Sequence, residues 1–248
     1  MVDAPPDYSI VVPAYNEEQL LGATLAGLRR AMAATPLAGE LVVCDNNSTD
    51  GTAALARSWG ARLVREPVNQ ISRARNAGAR AARGRFLVFV DADTVVPPAT
   101  LARALHALAS GHACGGGAAV AMEGVTRGFA SRMLWLWNAL SRGRRLAAGS
   151  FVFALREAFF AVGGFSERVY ASEEIWLSRA LKRWGRSRGL DFLILQHPPV
   201  VTSGRKARWY PTPVLLAVTI GILLMPFLLR SRRFCWLWYR RPAPPAAT

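Results

Sequence analysis

The sequence predicts an α/β protein built on a doubly wound, mostly parallel sheet with helices on both faces. Three observations carry that expectation. Short β-branched runs and amphipathic stretches alternate through the first hundred residues at the pitch of βαβ units. The runs read as buried strands, as they do in sheets covered on both faces. Three of them end on polar residues, at the edge where such sheets bind their ligands.

Taken in order, residues 8–12 form a strand closed by Pro13, and leucines at 20, 21, 25 and 28 mark one face of a helix over 17–30. Residues 41–44 form the next strand, ending on Asp45. The turn at 46–50 supplies Ser48 or Thr49 as the cap of a helix running to about Trp59. A strand over 62–64, an alanine-rich helix over 72–82 and a strand over 86–90 complete this half. Beyond it, strands are expected at 113–121, 149–155 and 190–195, and helices at 129–141 and 173–184. Residues 214–229 carry no charge.

Charge is unevenly placed. Of the net +15, the first hundred residues contribute nothing, with ten basic and ten acidic side chains. The whole excess lies in 101–248, and eight basic residues with no acid follow Asp191. Such a half is suited to an anionic surface, nucleic acid or membrane. A composition 52% hydrophobic excludes a disordered chain. Three cysteines, Cys44, Cys114 and Cys235, show no metal-ligand spacing and point to a reducing compartment. The opening residues do not read as a secretory signal.

The chemistry gathers at the strand ends: Pro13-Ala14-Tyr15-Asn16-Glu17, Asp45-Asn46-Asn47 and Asp91-Ala92-Asp93. A carboxylate pair at a strand end can hold a divalent cation that bridges a diphosphate. A DxD triplet alone is equally compatible with a solvated loop. Here, however, Ile10-Val11-Val12-Pro13-Ala14-Tyr15-Asn16-Glu17-Glu18 and Val43-Cys44-Asp45-Asn46-Asn47-Ser48-Thr49-Asp50-Gly51-Thr52 stand before it. Ala74-Arg75-Asn76-Ala77-Gly78 and the stretch from Gly84 to Asp93 follow, then Gly163-Gly164-Phe165-Ser166-Glu167 and Ser172-Glu173-Glu174. This ordered series, over roughly residues 8–208, resembles the family 2 glycosyltransferases of GT-A fold.

The resemblance implies an inverting, metal-dependent enzyme using a UDP- or GDP-linked sugar. Pro13 and Tyr15 would then line the base pocket and Asp45 would accept a hydrogen bond from the base edge, or else merely cap its turn. Glu17 and Ala92 would lie in the nucleotide site. Asp91 would lie near the ribose and the metal, and Asp93 on the metal, Mg2+ or Mn2+. Gln70 stands where many relatives have glycine; its amide would reach the nucleotide or cap the helix holding Arg75. Arg75 would serve the nucleotide or pair with a strand-end carboxylate. His197, after the last strand, is a further candidate ligand or a structural residue.

Glu173-Glu174 matches the place where the family usually has Glu-Asp, the second residue being the catalytic base. An acceptor hydroxyl must lose its proton as it attacks the anomeric carbon. Adjacent helix positions diverge by about 100°, so only one of the two can face the acceptor. Glu174 is the first choice and Glu173 the alternative.

The expected organisation is a catalytic domain over 1–208 and a hydrophobic, basic tail over 209–248, with 1–100 serving the nucleotide sugar and 101–208 the acceptor. The uncharged stretch is sixteen residues, where a spanning helix needs about 20. It contains Gly221 and Pro226 and is flanked by Arg205, Lys206, Arg208, Arg230, Arg232 and Arg233. Shallow insertion at the cytoplasmic membrane face is therefore expected, with a polyprenyl phosphate or glycolipid as acceptor. Two other readings are a sugar nucleotidyltransferase and a non-catalytic membrane adaptor. The first lacks its glycine-rich loop after strand one, and nucleic-acid binding rests on charge alone.

Overall fold

The computed structural model describes residues 4–205, 209, 210, 212–214, 217, 218, 221 and 225–239. The elements of the first half are β1 (Tyr8–Ala14), α1 (Glu18–Ala33), β2 (Gly39–Asp45), α2 (Thr52–Ser58), β3 (Arg62–Arg65), α3 (Ile71–Ala81), β4 (Phe86–Val90), β5 (Thr94–Val95) and α4 (Pro98–Ala109). The second half adds β6 (Ala113–Met122), α5 (Phe129–Arg144), β7 (Phe151–Leu155), α6 (Arg156–Ala161), α7 (Glu173–Arg186) and β8 (Asp191–Thr202). A 3-10 turn at Pro226–Arg230 and the short helix α8 (Trp236–Tyr239) come last.

The strands form one sheet in the order β3-β2-β1-β4-β7-β6-β8-β5. Pairs β1–β2, β1–β4, β2–β3 and β6–β8 are parallel, whereas β7 runs antiparallel to both neighbours and β5 antiparallel to β8. The mostly parallel α/β expectation is met. Chain order reverses between β1 and β4, and their register ends at Val11↔Phe89. Beyond that pair the two strands continue towards Glu17 and Asp93 without a shared ladder, which opens a crevice at the switch point.

Alternation of side chains along the strands divides the core into two layers. Ile10, Val12, Leu21, Leu25, Leu28, Leu101 and Leu105 fill one face. Val11, Leu87, Phe89, Phe159, Phe165, Leu177 and Leu181 fill the other. Phe89 meets Phe165 edge to face at 4.9 Å and Phe159 at 5.0 Å, so the Gly-Gly-Phe turn is anchored in that second layer.

Several expectations need correction. Neither Ser48 nor Thr49 caps α2, because both serve a turn tied to Asn16. Asn16 N–H donates to Ser48 Oγ at 3.0 Å, and Thr49 N–H to Asn16 Oδ1 at 2.8 Å. Helix α4 was not anticipated. Strand β8 does not stop before Pro198-Pro199: its pairing with β6 jumps from Ala118↔Leu195 to Val120↔Val200. The intervening residues form an irregularity where a missing N–H costs no ladder bond. His197 lies in that stretch, exposed, with its carbonyl accepting from Arg103, and not at the strand-end crevice.

Seven residues of the uncharged stretch 214–229 lie outside the described residues, and among those described no helix is long and apolar enough to cross a membrane. The described part of the tail packs on the loop before α7. Leu229 and Cys235 are buried with Val169 and Ala171. Tyr170 N–H donates to Leu229 O at 2.7 Å, and Tyr239 Oη–H donates to Tyr170 O at 2.9 Å. Cys44, Cys114 and Cys235 are all buried and free.

Candidate active site

Three segments meet over the crevice. After β1, Asn16 turns the chain through the left-handed region at φ 50°, which asparagine tolerates better than most residues. Glu17 is then fixed by its N–H donating to Thr52 Oγ1 at 2.8 Å. After β4, Asp91 N–H donates to Ser150 O at 3.3 Å and Ser203 N–H to Asp93 O at 3.1 Å. Thr24 Oγ1–H donates to Ala92 O at 2.8 Å, which holds the triplet against α1. Opposite them, Ser172 sits at φ 61° immediately before α7 and so aims Glu173 and Glu174 from the first turn of that helix. Strain of this kind in a non-glycine residue is a mark of functional sites.

Helix α3 brings in the cation. Its small residues let it lie close on the sheet; a Cβ on Gly78 would collide with Val11. Asn76 accepts from Phe165 N–H at 3.0 Å and donates to Phe165 O at 2.9 Å, so it pins the Gly-Gly-Phe turn. Arg75, between them, is 1% exposed. Its guanidinium donates to Asp91 Oδ1 at 2.6 Å, to Gly149 O at 2.8 Å and to Glu173 Oε1, and stands over the Phe165 ring at 5.1 Å. Burial opposes the charge on Arg75, but the surrounding carboxylates outweigh it and raise its pKa. Of the two roles open to Arg75, the structure shows the pairing with a strand-end carboxylate.

The result is a cavity of about 270 Å³ lined by Pro13, Tyr15, Glu17, Arg75, Asp91, Ala92, Asp93, Glu173 and Glu174, with Arg205, Trp209, Leu237 and Tyr239 closing it from the C-terminal side. Nine of the twelve sequence-predicted positions therefore line one space. His197, in the β6–β8 irregularity, is not among them, and two more lie outside it. Asp45 is buried; its Oδ1 accepts from Ser48 N–H at 3.0 Å, while Oδ2 has no hydrogen-bond partner. Gln70 does not line the cavity, and although it is the N-cap residue of α3 its side chain makes no capping bond: its Nε2 donates to Glu167 O and Val169 O, both at 2.9 Å. The two carbonyls it binds lie in the loop leading to α7, so the amide is spent on holding that loop.

A second cavity, about 440 Å³, adjoins the first and shares Asp91, Asp93, Gly149, Ser150 and Glu174 with it. Its far wall is apolar, made by Val120, Met122, Phe129, Met133, Leu134 and Trp137 from β6 and α5. Glu173 lines only the first cavity and is held by Arg75; Glu174 faces both. Burial, and then the neighbouring Glu173 charge, raise the Glu174 pKa to about 8. That is a poised value for a group that takes a proton near neutral pH.

The sequence reading missed Arg205, which it placed among the membrane-flanking cations. It pairs with both oxygens of Glu17, at 2.7 and 2.5 Å, and its Nη2 lies 3.1 Å from Asp93 Oδ2. The signal available was its place just past the last strand, at the sheet edge where Asp93 stands.

Among the described residues no cluster of three or more His, Cys, Asp or Glu forms a ready metal cage. The chemistry of the donor set nonetheless fits Mg2+ or Mn2+. Hard carboxylate oxygens of Asp93 and Asp91 face the cavity, and Mg2+ is commonly held by one or two carboxylates together with substrate phosphates.

Comparison with known proteins places the chain in a family. Over 99 residues the chain is 39% identical to a validoxylamine A glucosyltransferase of Streptomyces hygroscopicus subsp. limoneus, covering 38% of this chain and 22% of that protein. It is 34% identical over 94 residues to a dodecaprenyl-phosphate galacturonate synthase of Rhizobium johnstonii, covering 35% and 28%. The alignments thus span less than a third of these relatives. A Pyrobaculum calidifontis mannosyltransferase solved with GDP-Man and Mn2+ superposes with a TM-score of 0.63 at 23% identity, over 98% of this chain and 67% of that one. Staphylococcus aureus TarS with UDP-GlcNAc gives 0.64 at 17% identity, over 92% and 73%. These likenesses show the fold. The family model for glycosyl transferase family 2 matches residues 9–166, well over half of the sequence, and the chain belongs to that family.

Proposed function

We propose that the protein is an inverting glycosyltransferase that moves a sugar from a UDP- or GDP-linked donor to a hydroxyl or phosphate of an acceptor with an apolar portion. One observation carries this reading: a polar cavity rich in carboxylates and an apolar cavity share Asp91, Asp93 and Glu174, and of these three only Glu174 is in no salt bridge among the described residues. The donor would lie in the first cavity, its base near Pro13 and Tyr15 and its diphosphate towards Asp91 and Asp93. A bound Mg2+ or Mn2+ would neutralise the charge that develops on the departing nucleoside diphosphate. Arg75 holds Asp91 and Glu173 in place, which leaves Glu174 to take the proton of an acceptor hydroxyl entering from the second cavity. A single displacement of this kind inverts the anomeric centre.

An acceptor such as a polyprenyl phosphate or glycolipid suits the apolar wall, and the similarity to the dodecaprenyl-phosphate galacturonate synthase supports that class. Trp135 at 72% exposure, Leu136 and Leu140 project from α5, beside Arg132, Arg142 and Arg144 on the same helix. This surface would rest on an anionic bilayer at the cytoplasmic face, with Trp and Leu in the interface and arginines on headgroups.

The test is turnover of a panel of UDP- and GDP-sugars with a membrane lipid extract as acceptor. Radiolabel transferred to the lipid fraction by the wild type, and lost in Asp93→Ala, is the expected result. No transfer from any donor, or equal transfer by Asp93→Ala, overturns the proposal.

A further inference from the structure

The two arginines of the donor cavity are built differently. Arg75 comes from the middle of α3 and is fixed on Asp91, Glu173, Gly149 and the Phe165 ring. Arg205 stands three residues past β8, after Ser203-Gly204, and its side chain retains 14% exposure. Its contacts are Glu17, Asp93 and the Trp209 ring at 5.4 Å, all at the mouth of the cavity. It therefore spans the space between the end of β1 and the second carboxylate of the Asp91-Ala92-Asp93 triplet. On the donor-site reading, both walls of that space would face the donor diphosphate and its cation.

We infer that Arg205 is an exchangeable counter-ion of the donor site: it neutralises Asp93 while the site is empty, and passes to the donor diphosphate when a divalent cation takes Asp93. The inference rests on the donor-site reading above. A guanidinium 3.1 Å from Asp93 Oδ2 repels a divalent cation brought to the same oxygen, so the two compete when the cation comes alone. A cation that arrives with a diphosphate changes the balance, because the phosphate oxygens offer the displaced fork a planar, two-pronged partner. Glu17 keeps the guanidinium within reach during the exchange, through its two-point pair. Among the described lining residues five carboxylates face two guanidiniums, so the cavity remains attractive to the incoming cation. Arg205 thus opposes the metal alone and assists the metal with nucleotide. A purely structural arginine would oppose the metal in the same way but would not assist the nucleotide.

The opposed signs make the test. Wild type and Arg205→Gln are titrated calorimetrically with Mn2+ alone, then with UDP and with GDP at saturating Mn2+. The variant is expected to bind Mn2+ alone about three- to tenfold more tightly, since a competing charge is gone. It is expected to bind the preferred diphosphate about ten- to a hundredfold more weakly, the loss of a charge-assisted hydrogen bond. Affinities that both fall, or that both stay unchanged, overturn the inference while leaving the donor site intact. A wild type that binds neither diphosphate overturns the donor-site reading and this inference with it. Should Arg205→Gln not unfold cooperatively, Arg205→Lys replaces it. That variant keeps the charge, loses the fork, and is expected to show the weaker diphosphate binding.

Discussion

Arg75→Met removes the charge that holds the candidate active site together while keeping most of the side-chain volume. In the native protein Arg75 is 1% exposed, Glu173 4% and Asp91 27% at the side chain. The variant strands Glu173 as a buried carboxylate, and breaking a buried pair by removing one partner costs about 3–5 kcal/mol. Loss of the bond to Gly149 O and of the Phe165 ring contact act in the same direction. The pair with Asp91 adds less, because that carboxylate is partly open to water. Against a total stability of roughly 5–15 kcal/mol the loss is large. At about 2–4 °C per kcal/mol for a chain of this size, the melting temperature should fall by about 6–20 °C. Differential scanning calorimetry reads this directly. The double variant Arg75→Met/Glu173→Gln should recover part of it, since the stranded charge is then gone. A fall below about 2 °C, or a double variant no better than the single, would refute the account of Arg75 as the tie between strand end and helix.

Because Glu174 must be ionised to accept a proton, kcat/KM should rise with pH towards a plateau beyond about pH 8, and Glu173→Gln, by removing a neighbouring negative charge, should move that rise to lower pH. The same raised pKa makes a stability contribution that is fully present below the usual carboxylate range and is lost as pH rises through about 8. Stability should therefore fall across that window in wild type and fall less in Glu174→Gln, as followed by thermal unfolding at each pH. On the α5 surface, Trp135→Ala/Leu136→Ala should reduce co-sedimentation with phosphatidylserine-containing vesicles severalfold while leaving nucleoside diphosphate affinity unchanged. Equal sedimentation would remove α5 from the membrane account.

The half of the molecule proposed to bind the donor was legible because each of its signals is local. Buried runs such as 86–90 end directly on the residues that matter, and a parallel sheet brings those ends to one edge. Arg75 and Asn76 could be placed on a helix, but what they hold, Glu173 and the Phe165 turn, lies about ninety residues away. Their roles emerge only when α3 and α7 pack on the same face. The partners of Gln70, Glu167 and Val169, are likewise distant in sequence. Arg205 was hidden by composition: a cation beside an apolar stretch looks like a membrane flank until β8 is seen to carry it back to Asp93. The strand expected over 190–195 runs on to Thr202, because an irregularity in the β6–β8 pairing accommodates Pro198 and Pro199.

The central claim is that Glu174 accepts the acceptor proton at the junction of two cavities and is not needed to bind the donor. Glu174→Gln keeps size and polarity and removes only the base. The decisive measurement pairs its transfer rate with its affinity for the donor nucleotide at saturating Mn2+. The rate should be lower by about 10²–10⁴-fold with an affinity within about threefold of wild type. Undiminished transfer, or a variant that loses nucleotide binding in proportion to its rate, would contradict it.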